Sequence, residues 1–190
     1  MEKVIFVDRD GVINKDPGGW TKYDYVTRWS EFLFIEGSID ALKVLKEAGY
    51  KVYIISNQAG IAKGYFTQED LEKVNKEMLR QIENGGGKIE GLFYCPHSKA
   101  DECDCRKPKT GLIEKALAGR EVDRKKTFVI GDDLRDIEAG KKMGMRTILV
   151  LSGKTSLEAC EASSVRPDYI KNNLLEAVLF VLQNERGGNG

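Results

Sequence analysis

Apolar and polar positions follow two rhythms along this chain. Residues 4–7 are an unbroken apolar run closed by Asp8, the pattern of a short strand buried on both faces. Ile39, Leu42, Leu45 and Ala48 then recur at helical spacing within residues 38–48, and Gly49 follows as a stop. A second strand is predicted over 52–55, running out at Ser56-Asn57. Thr67, with Asp70 three residues on, marks a helix N-cap; Leu71, Val74, Met78, Leu79 and Ile82 then carry one apolar face. Gly85-Gly86-Gly87 ends that helix. Further strands are expected at 89–94, 127–130 and 147–151, and further helices at 111–118, 134–143 and 174–182.

Strands alternating with helices imply a parallel sheet covered on both faces, an α/β, Rossmann-like three-layer α/β/α sandwich. There is no repeat, linker or composition break. Residues 1–184 therefore read as one domain, and the glycine-rich 185–190 as a disordered tail. The segment between Asp10 and Ser56 already holds a helix and a strand, which leaves room for a flap and no cap domain.

In such a sheet, ligands bind beyond the carboxyl ends of the strands. The first predicted strand runs into Asp8-Arg9-Asp10-Gly11-Val12, with two carboxylates on one side of extended chain and a glycine for a sharp turn. The second runs into Ser56-Asn57-Gln58. The third leads into a cysteine loop and then Arg106-Lys107-Pro108-Lys109. The fourth leads into Gly131-Asp132-Asp133, with Asp136 shortly after. Carboxylates brought together repel one another unless a cation sits between them, and oxygen ligands suit Mg2+. A lysine and an arginine beside them suit a phosphate dianion. Taken singly, each piece has a plainer reading. Asp-x-Asp is commonly a solvated turn, Ser56 a turn residue and Lys107 a surface lysine, while Asp133 and Asp136 favour the positive N-terminus of the next helix. Their joint occurrence at four strand ends is what argues for a site.

Composition narrows the classes. Lys plus Arg (30) balance Asp plus Glu (30), which argues against nucleic-acid binding through bulk charge. An anionic ligand must be drawn by the local group of Lys63, Arg106, Lys107 and Lys109. No apolar run is long enough to cross a bilayer, and the first residues carry no signal-peptide pattern, so a soluble cytoplasmic protein without a membrane partner is expected. Gly153-Lys154-Thr155 lacks the upstream glycine of a phosphate-binding P-loop, because position 148 is Ile.

Cys95, His97, Cys103 and Cys105 form C-x-H-x5-C-x-C within one loop. Lys99, Asp101, Glu102 and Asp104 make that loop too polar for simple buried thiols, and C-x-C spacing strains a direct disulfide. Four soft or borderline ligands at this spacing are expected to close a structural Zn2+ site at 95–105. Cys160 lies outside it and reads as a helix cysteine.

Taken in order, Asp8 to Val12, Ser56, Lys107, and Gly131-Asp132-Asp133 with Asp136 resemble the four motifs of the haloacid dehalogenase (HAD) superfamily of aspartate-nucleophile phosphotransferases. The resemblance covers the chain to about Leu151. It implies Asp8 as nucleophile and Asp10 as general acid/base. Mg2+ would be held by Asp8, the Asp10 carbonyl and Asp132, with Ser56 and Lys107 stabilising phosphoryl charge. The zinc loop in a capless chain is similar to the branch that contains the heptose-bisphosphate and histidinol phosphatases. The run Ser56-Asn57-Gln58-Ala59-Gly60-Ile61-Ala62-Lys63-Gly64, followed by Phe66-Thr67, favours the former. By that likeness the partner is a small phosphorylated metabolite, a sugar bisphosphate, and the protein is a monomer. Asp16, Gly18, Gly19, Ser56, Asn57, Gln58, Arg106, Lys107 and Asp133 would bind it, with Arg106 on the non-reacting phosphate. Histidinol phosphate or another small phosphorylated metabolite is the alternative. This chain departs from the likeness at Asp16-Pro17-Gly18-Gly19-Trp20, where Asp-x-Gly-Tyr is common, and at Asp133, where a basic residue is common.

Overall fold

The computed structural model describes residues 2–187. Six strands, β1 (Val4–Val7), β2 (Lys51–Asn57), β3 (Gly91–Cys95), β4 (Phe128–Gly131), β5 (Arg146–Val150) and β6 (Tyr169–Lys171), form one sheet in the order β3-β2-β1-β4-β5-β6. Every pairing is parallel. The helices are α1 (Ser38–Glu47), α2 (Gln68–Asn84), α3 (Gly111–Leu117), α4 (Leu134–Lys142), α5 (Leu157–Ala162) and α6 (Leu174–Gly187).

Alternate residues of β1 serve opposite faces of the sheet. Ile5 and Val7 pack with the buried residues of α1, α2 and α6, whereas Val4 and Phe6 pack with those of α3 and α4. A smaller cluster joins Ile137 of α4, Leu149 of β5 and Cys160 of α5. A strand covered on both sides has no polar face to show, so β1 reads as an unbroken apolar run. The expected three-layer α/β/α sandwich is what the chain adopts.

The strand order places the site. The chain builds outward from β1 through β2 to β3, then returns to the other side of β1 and builds outward through β4, β5 and β6. Neighbouring connections diverge at β1 and β4, which opens a crevice at their carboxyl ends. Val7 stands beside Ile130, so Asp8 and Asp132 leave the sheet next to each other.

Local signals set the helix starts. At α2, the Thr67 hydroxyl accepts from the Asp70 amide (3.1 Å) and the Asp70 carboxylate accepts from the Thr67 amide (3.0 Å), a closed capping box. Asp133 and Asp136 repeat the arrangement at α4. Both acids thus do cap that helix, as their plainer reading held.

Two elements were not expected. The six-residue α5 is too short to show a helical period, and the three-residue β6 is too short to show a strand period. Pairing with β5 defines β6, and Asp168 fastens its approach by accepting from the Thr147 amide and hydroxyl, both at 2.8 Å. The last helix was expected to stop at 182 but continues to Gly187 through polar turns. Of the predicted tail, residues 185–187 therefore belong to α6, and residues 188–190 lie outside the described residues.

Residues 14–34 contain a single 3-10 turn, Trp29–Glu31, and no further helix or strand. The rings of Trp29, Phe32 and Phe34 anchor this flap; Phe32 lies 5.0 Å from Trp29 and 4.9 Å from Phe34. It is a flap and no cap domain. Among the described residues, no helix is long and apolar enough to cross a membrane.

Candidate active site

Asp8 is fixed to the edge of β4 by its amide, which donates to the Ile130 carbonyl at 3.0 Å. Gly11 then turns the chain with φ of 77°, in the left-handed region that suits glycine. A Cβ on Gly11 would lie 2.2 Å from Asp132 Oδ2, and one on Gly153 would lie equally close. Two glycines therefore let backbone approach the Asp132 carboxylate closely. The Lys154 amide donates to the same oxygen at 2.8 Å, and the Thr155 amide donates to the Asp132 carbonyl at 3.0 Å. The Gly153-Lys154-Thr155 run, which is no P-loop, is a clasp on Asp132.

Lys107, read singly as a surface lysine, is buried. Its Nζ lies 3.0 Å from Asp8 Oδ1 and 2.6 Å from Asp136 Oδ1, and it donates to the Ile55 carbonyl at 2.7 Å. The Asn57 side chain holds the Lys107 backbone through a pair of 3.1 Å bonds, donating to its carbonyl and accepting from its amide. This contact carries the long loop after β3 across the end of β2.

One oxygen each from Asp8, Asp132 and Asp136 can be chosen so that all lie within 4.8 Å of one another. Three buried or half-buried acids thus face one ammonium. Burial, opposed by Lys107 and reinforced by the charges of Asp136 and Asp10, pushes the Asp8 carboxyl up to about 7. Burial and the charges of Asp8 and Asp136 push Asp132 well above the usual carboxylate value. Burial works against the Lys107 ammonium, but Asp136 and Asp8 hold it above its ordinary value. The excess negative charge and the all-oxygen donor set suit a hard divalent cation.

At the far end of β3, the Sγ atoms of Cys95 and Cys103 are 3.5 Å apart, as are those of Cys103 and Cys105. His97 Nδ1 is 3.3 Å from Cys105 Sγ and 3.6 Å from Cys95 Sγ. All four cysteines are free, and these sulfurs are well beyond bonding distance. The loop brings four metal-type donors to one point.

The HAD-hydrolase-like family model matches residues 104–177. The D-glycero-beta-D-manno-heptose-1,7-bisphosphate 7-phosphatase of Neisseria meningitidis serogroup A is 37% identical over 183 residues, covering 95% of each chain. The D-glycero-D-manno-heptose-1,7-bisphosphate 7-phosphatase of Chlorobaculum tepidum is 38% identical over 188 residues, covering 93% of this chain and 92% of its own. The solved D,D-heptose 1,7-bisphosphate phosphatase from B. bronchiseptica, complexed with magnesium and phosphate, superposes with a TM-score of 0.85 at 30% identity. It covers 97% of this chain and 99% of its own. The chain belongs to the heptose-bisphosphate phosphatase family of HAD-like hydrolases.

Against that family's expected site, the structure sorts the predicted residues. Asp8, Asp10, Asp16, Ser56, Asn57, Arg106, Lys107, Asp132 and Asp133 border one cavity of about 270 Å³ at the crevice. Gln58 does not. It is fully buried beneath the floor, where Nε2 donates to Asp10 Oδ2 and Ser56 Oγ, both at 2.9 Å. Its expected contact with substrate is corrected to a contact with two residues that border the cavity. Gly18 and Gly19 lie outside the wall, on the flap. Their amides donate to Asp16 Oδ1 (3.2 Å) and Asp24 Oδ1 (2.9 Å). Asp133 borders the cavity but is already engaged. Burial would raise its carboxyl, yet bonds and charge from Arg135, at 2.6 and 2.9 Å, hold it down at about 2.

Sequence reading missed Tyr25, Arg135 and Lys154 in the wall, and Arg9 behind it. Lys154 and Arg135 stand near the noted Gly153 and Asp136, but spacing could not show which way they point. Lys63, one of the local positive group expected to draw an anionic ligand, borders the cavity, with its Nζ over the rings of Tyr25 (5.6 Å) and Tyr65 (5.7 Å).

Proposed function

We propose that this chain is a Mg2+-dependent phosphatase that removes the 7-phosphate of D-glycero-D-manno-heptose 1,7-bisphosphate, with residues 1–184 acting as one domain. The observation that carries the reading is the buried Lys107 ammonium held between Asp8 and Asp136, with Asp132 beside them, at the mouth of the β1–β4 crevice. The named relatives supply the substrate.

In the first step an Asp8 carboxylate oxygen attacks phosphorus, the bond from phosphorus to the sugar oxygen breaks, and Asp10 donates a proton to that oxygen. In the second, Asp10 takes a proton from water, the water oxygen attacks the aspartyl-phosphate, and Asp8 leaves as carboxylate. Lys107 and the Ser56 hydroxyl face the charge that develops on the phosphoryl oxygens. Arg106, in the cavity wall, takes the phosphate that does not react. Mg2+ held by Asp8, Asp132 and the Asp10 carbonyl would offset repulsion between the attacking carboxylate and the phosphate dianion.

Zn2+ on Cys95, His97, Cys103 and Cys105 would be structural, because four protein donors leave no open position. It would fix the loop that delivers Arg106 and Lys107. Arg106 already donates to the His97 carbonyl at 3.2 Å.

Phosphate release with Mg2+ is to be measured on both anomers of the heptose bisphosphate and on histidinol phosphate, with wild type and Asp8→Asn. A large kcat/KM preference for one heptose anomer, abolished in the variant, is expected. Full activity in Asp8→Asn would overturn the mechanism, and similar slow turnover of every compound would overturn the substrate.

A further inference from the structure

Arg9 separates the two acids of the first motif, yet it faces away from the cavity. Its side chain is 1% exposed. Nη2 lies 2.9 and 3.0 Å from the two oxygens of Asp10, and Nε lies 3.3 Å from the first of them. Nη1 donates to Asn75 Oδ1 at 3.3 Å. Asn75 is a polar residue on the buried face of α2, between the apolar positions Leu71, Val74 and Met78.

This is an expensive construction for stability alone. A buried guanidinium loses its hydration, and a well-packed apolar pair commonly serves a core as well or better. What the pair provides here is geometry. A planar guanidinium grips a carboxylate in one orientation, which a lysine cannot do. Asn14 and Gln58 add donors to Asp10 at 2.9 Å each. The acid is thereby fixed from behind, while its own edge borders the cavity.

We propose that Arg9 is a positioning residue for the reaction. It aims the Asp10 carboxyl at the oxygen of the departing alcohol, and Asn75 holds Arg9 in place from α2. This inference rests on the phosphatase reading above. It concerns proton delivery to the leaving group, so it has a signature that a general structural role lacks. A sugar alkoxide needs a proton as it departs, whereas nitrophenolate and acetate leave without one. The parameter kcat/KM reports the first phosphoryl transfer and excludes the later hydrolysis.

The experiment compares kcat/KM for the heptose bisphosphate, 4-nitrophenyl phosphate and acetyl phosphate in wild type, Arg9→Met and Asn75→Ala. Arg9→Met is expected to lose about 10²-fold on the sugar phosphate, within the range of general acid catalysis, and less than about threefold on the other two. Asn75→Ala leaves both charges in place and carries the test if Arg9→Met does not fold. It is expected to show the same pattern at about tenfold. Equal losses on all three compounds, or no loss in either variant, would overturn the inference. Failure of the underlying reading looks different: wild type would then show no Mg2+-dependent turnover of any of them.

Discussion

Gly153→Ala tests whether the Asp132 clasp is functional. Gly153 carries no left-handed φ, so alanine adds no backbone strain of that kind. Its Cβ would stand 2.2 Å from Asp132 Oδ2 and 2.6 Å from Asp132 Cγ, whereas ordinary contact begins at 3.4 Å. The carboxylate or the loop at residue 153 must shift by roughly an ångström to relieve the overlap. Gly11 is packed as closely against the same oxygen, which leaves the carboxylate little room. A shift of the carboxylate away from residue 153 also strains the 2.8 Å bond from the Lys154 amide. A catalytic group misplaced by about 1 Å can cost ~10²-fold in rate, or about 2.7 kcal/mol in the barrier. Overpacking itself costs about 1–3 kcal/mol in stability, a Tm fall of roughly 2–12 °C for a chain of this size. The assay is phosphate release against Mg2+ concentration, with thermal melts alongside. The expected result is a folded protein with kcat/KM down about 10²-fold and a weaker Mg2+ response. Unchanged activity and an unchanged Mg2+ half-saturation point would refute the argument that backbone contact holds Asp132 in place.

Metal analysis of native protein is expected to return about one zinc per chain. Cys103→Ser should lose it and, with it, activity that added Mg2+ does not restore; zinc-free native protein would contradict the assignment. A separate test concerns pH. Burial would raise the Asp168 carboxyl, but bonds from Lys141 and Thr147 outweigh it and set the group below its usual 3.8. A depressed carboxyl contributes stability that is present above its unfolded value and is lost as pH falls through the lower folded value. Asp168 is 37% exposed, so solvent screens the charge, and Asp168→Asn should unfold more readily at pH 7 by at most about 1 kcal/mol in urea titrations. The gap to wild type should close in acid below 3.8; a gap that is constant with pH would contradict the assignment of that charge.

Much of the site was legible because strand ends and chemistry coincide in sequence. Asp8, Asp10, Ser56, Lys107 and Asp132 each follow a predicted strand or its loop, and the fold brings all five to one cavity. Asp136 was legible as a helix-start acid and as part of the fourth motif, whereas its contact with Lys107 was not. It caps α4, as helix-start chemistry requires, and the same carboxylate reaches Lys107. Gln58 was misplaced because adjacency in a motif does not tell which side chains face the cavity. At the end of β2, Ser56 and Asn57 border it while Gln58 turns beneath.

Sequence alone determined the parallel sheet, the helix that starts at Thr67, the acids at the strand ends and the four metal-type donors of the 95–105 loop. Those features depend on short-range periodicity, capping and spacing, which a local stretch of chain carries in full. Only the tertiary structure decided the rest: Lys107 is buried between two acids, Gly153 and Gly11 clasp Asp132, and Arg9 anchors Asp10 to α2. Each of these contacts joins residues far apart in the chain or depends on which way a side chain turns. They exist because the strand order puts β1 beside β4 and folds the loops after β3 and β5 over the same crevice. Short elements such as β6 belong to the same category, since three residues carry no period and become a strand only when β5 is there to pair with them.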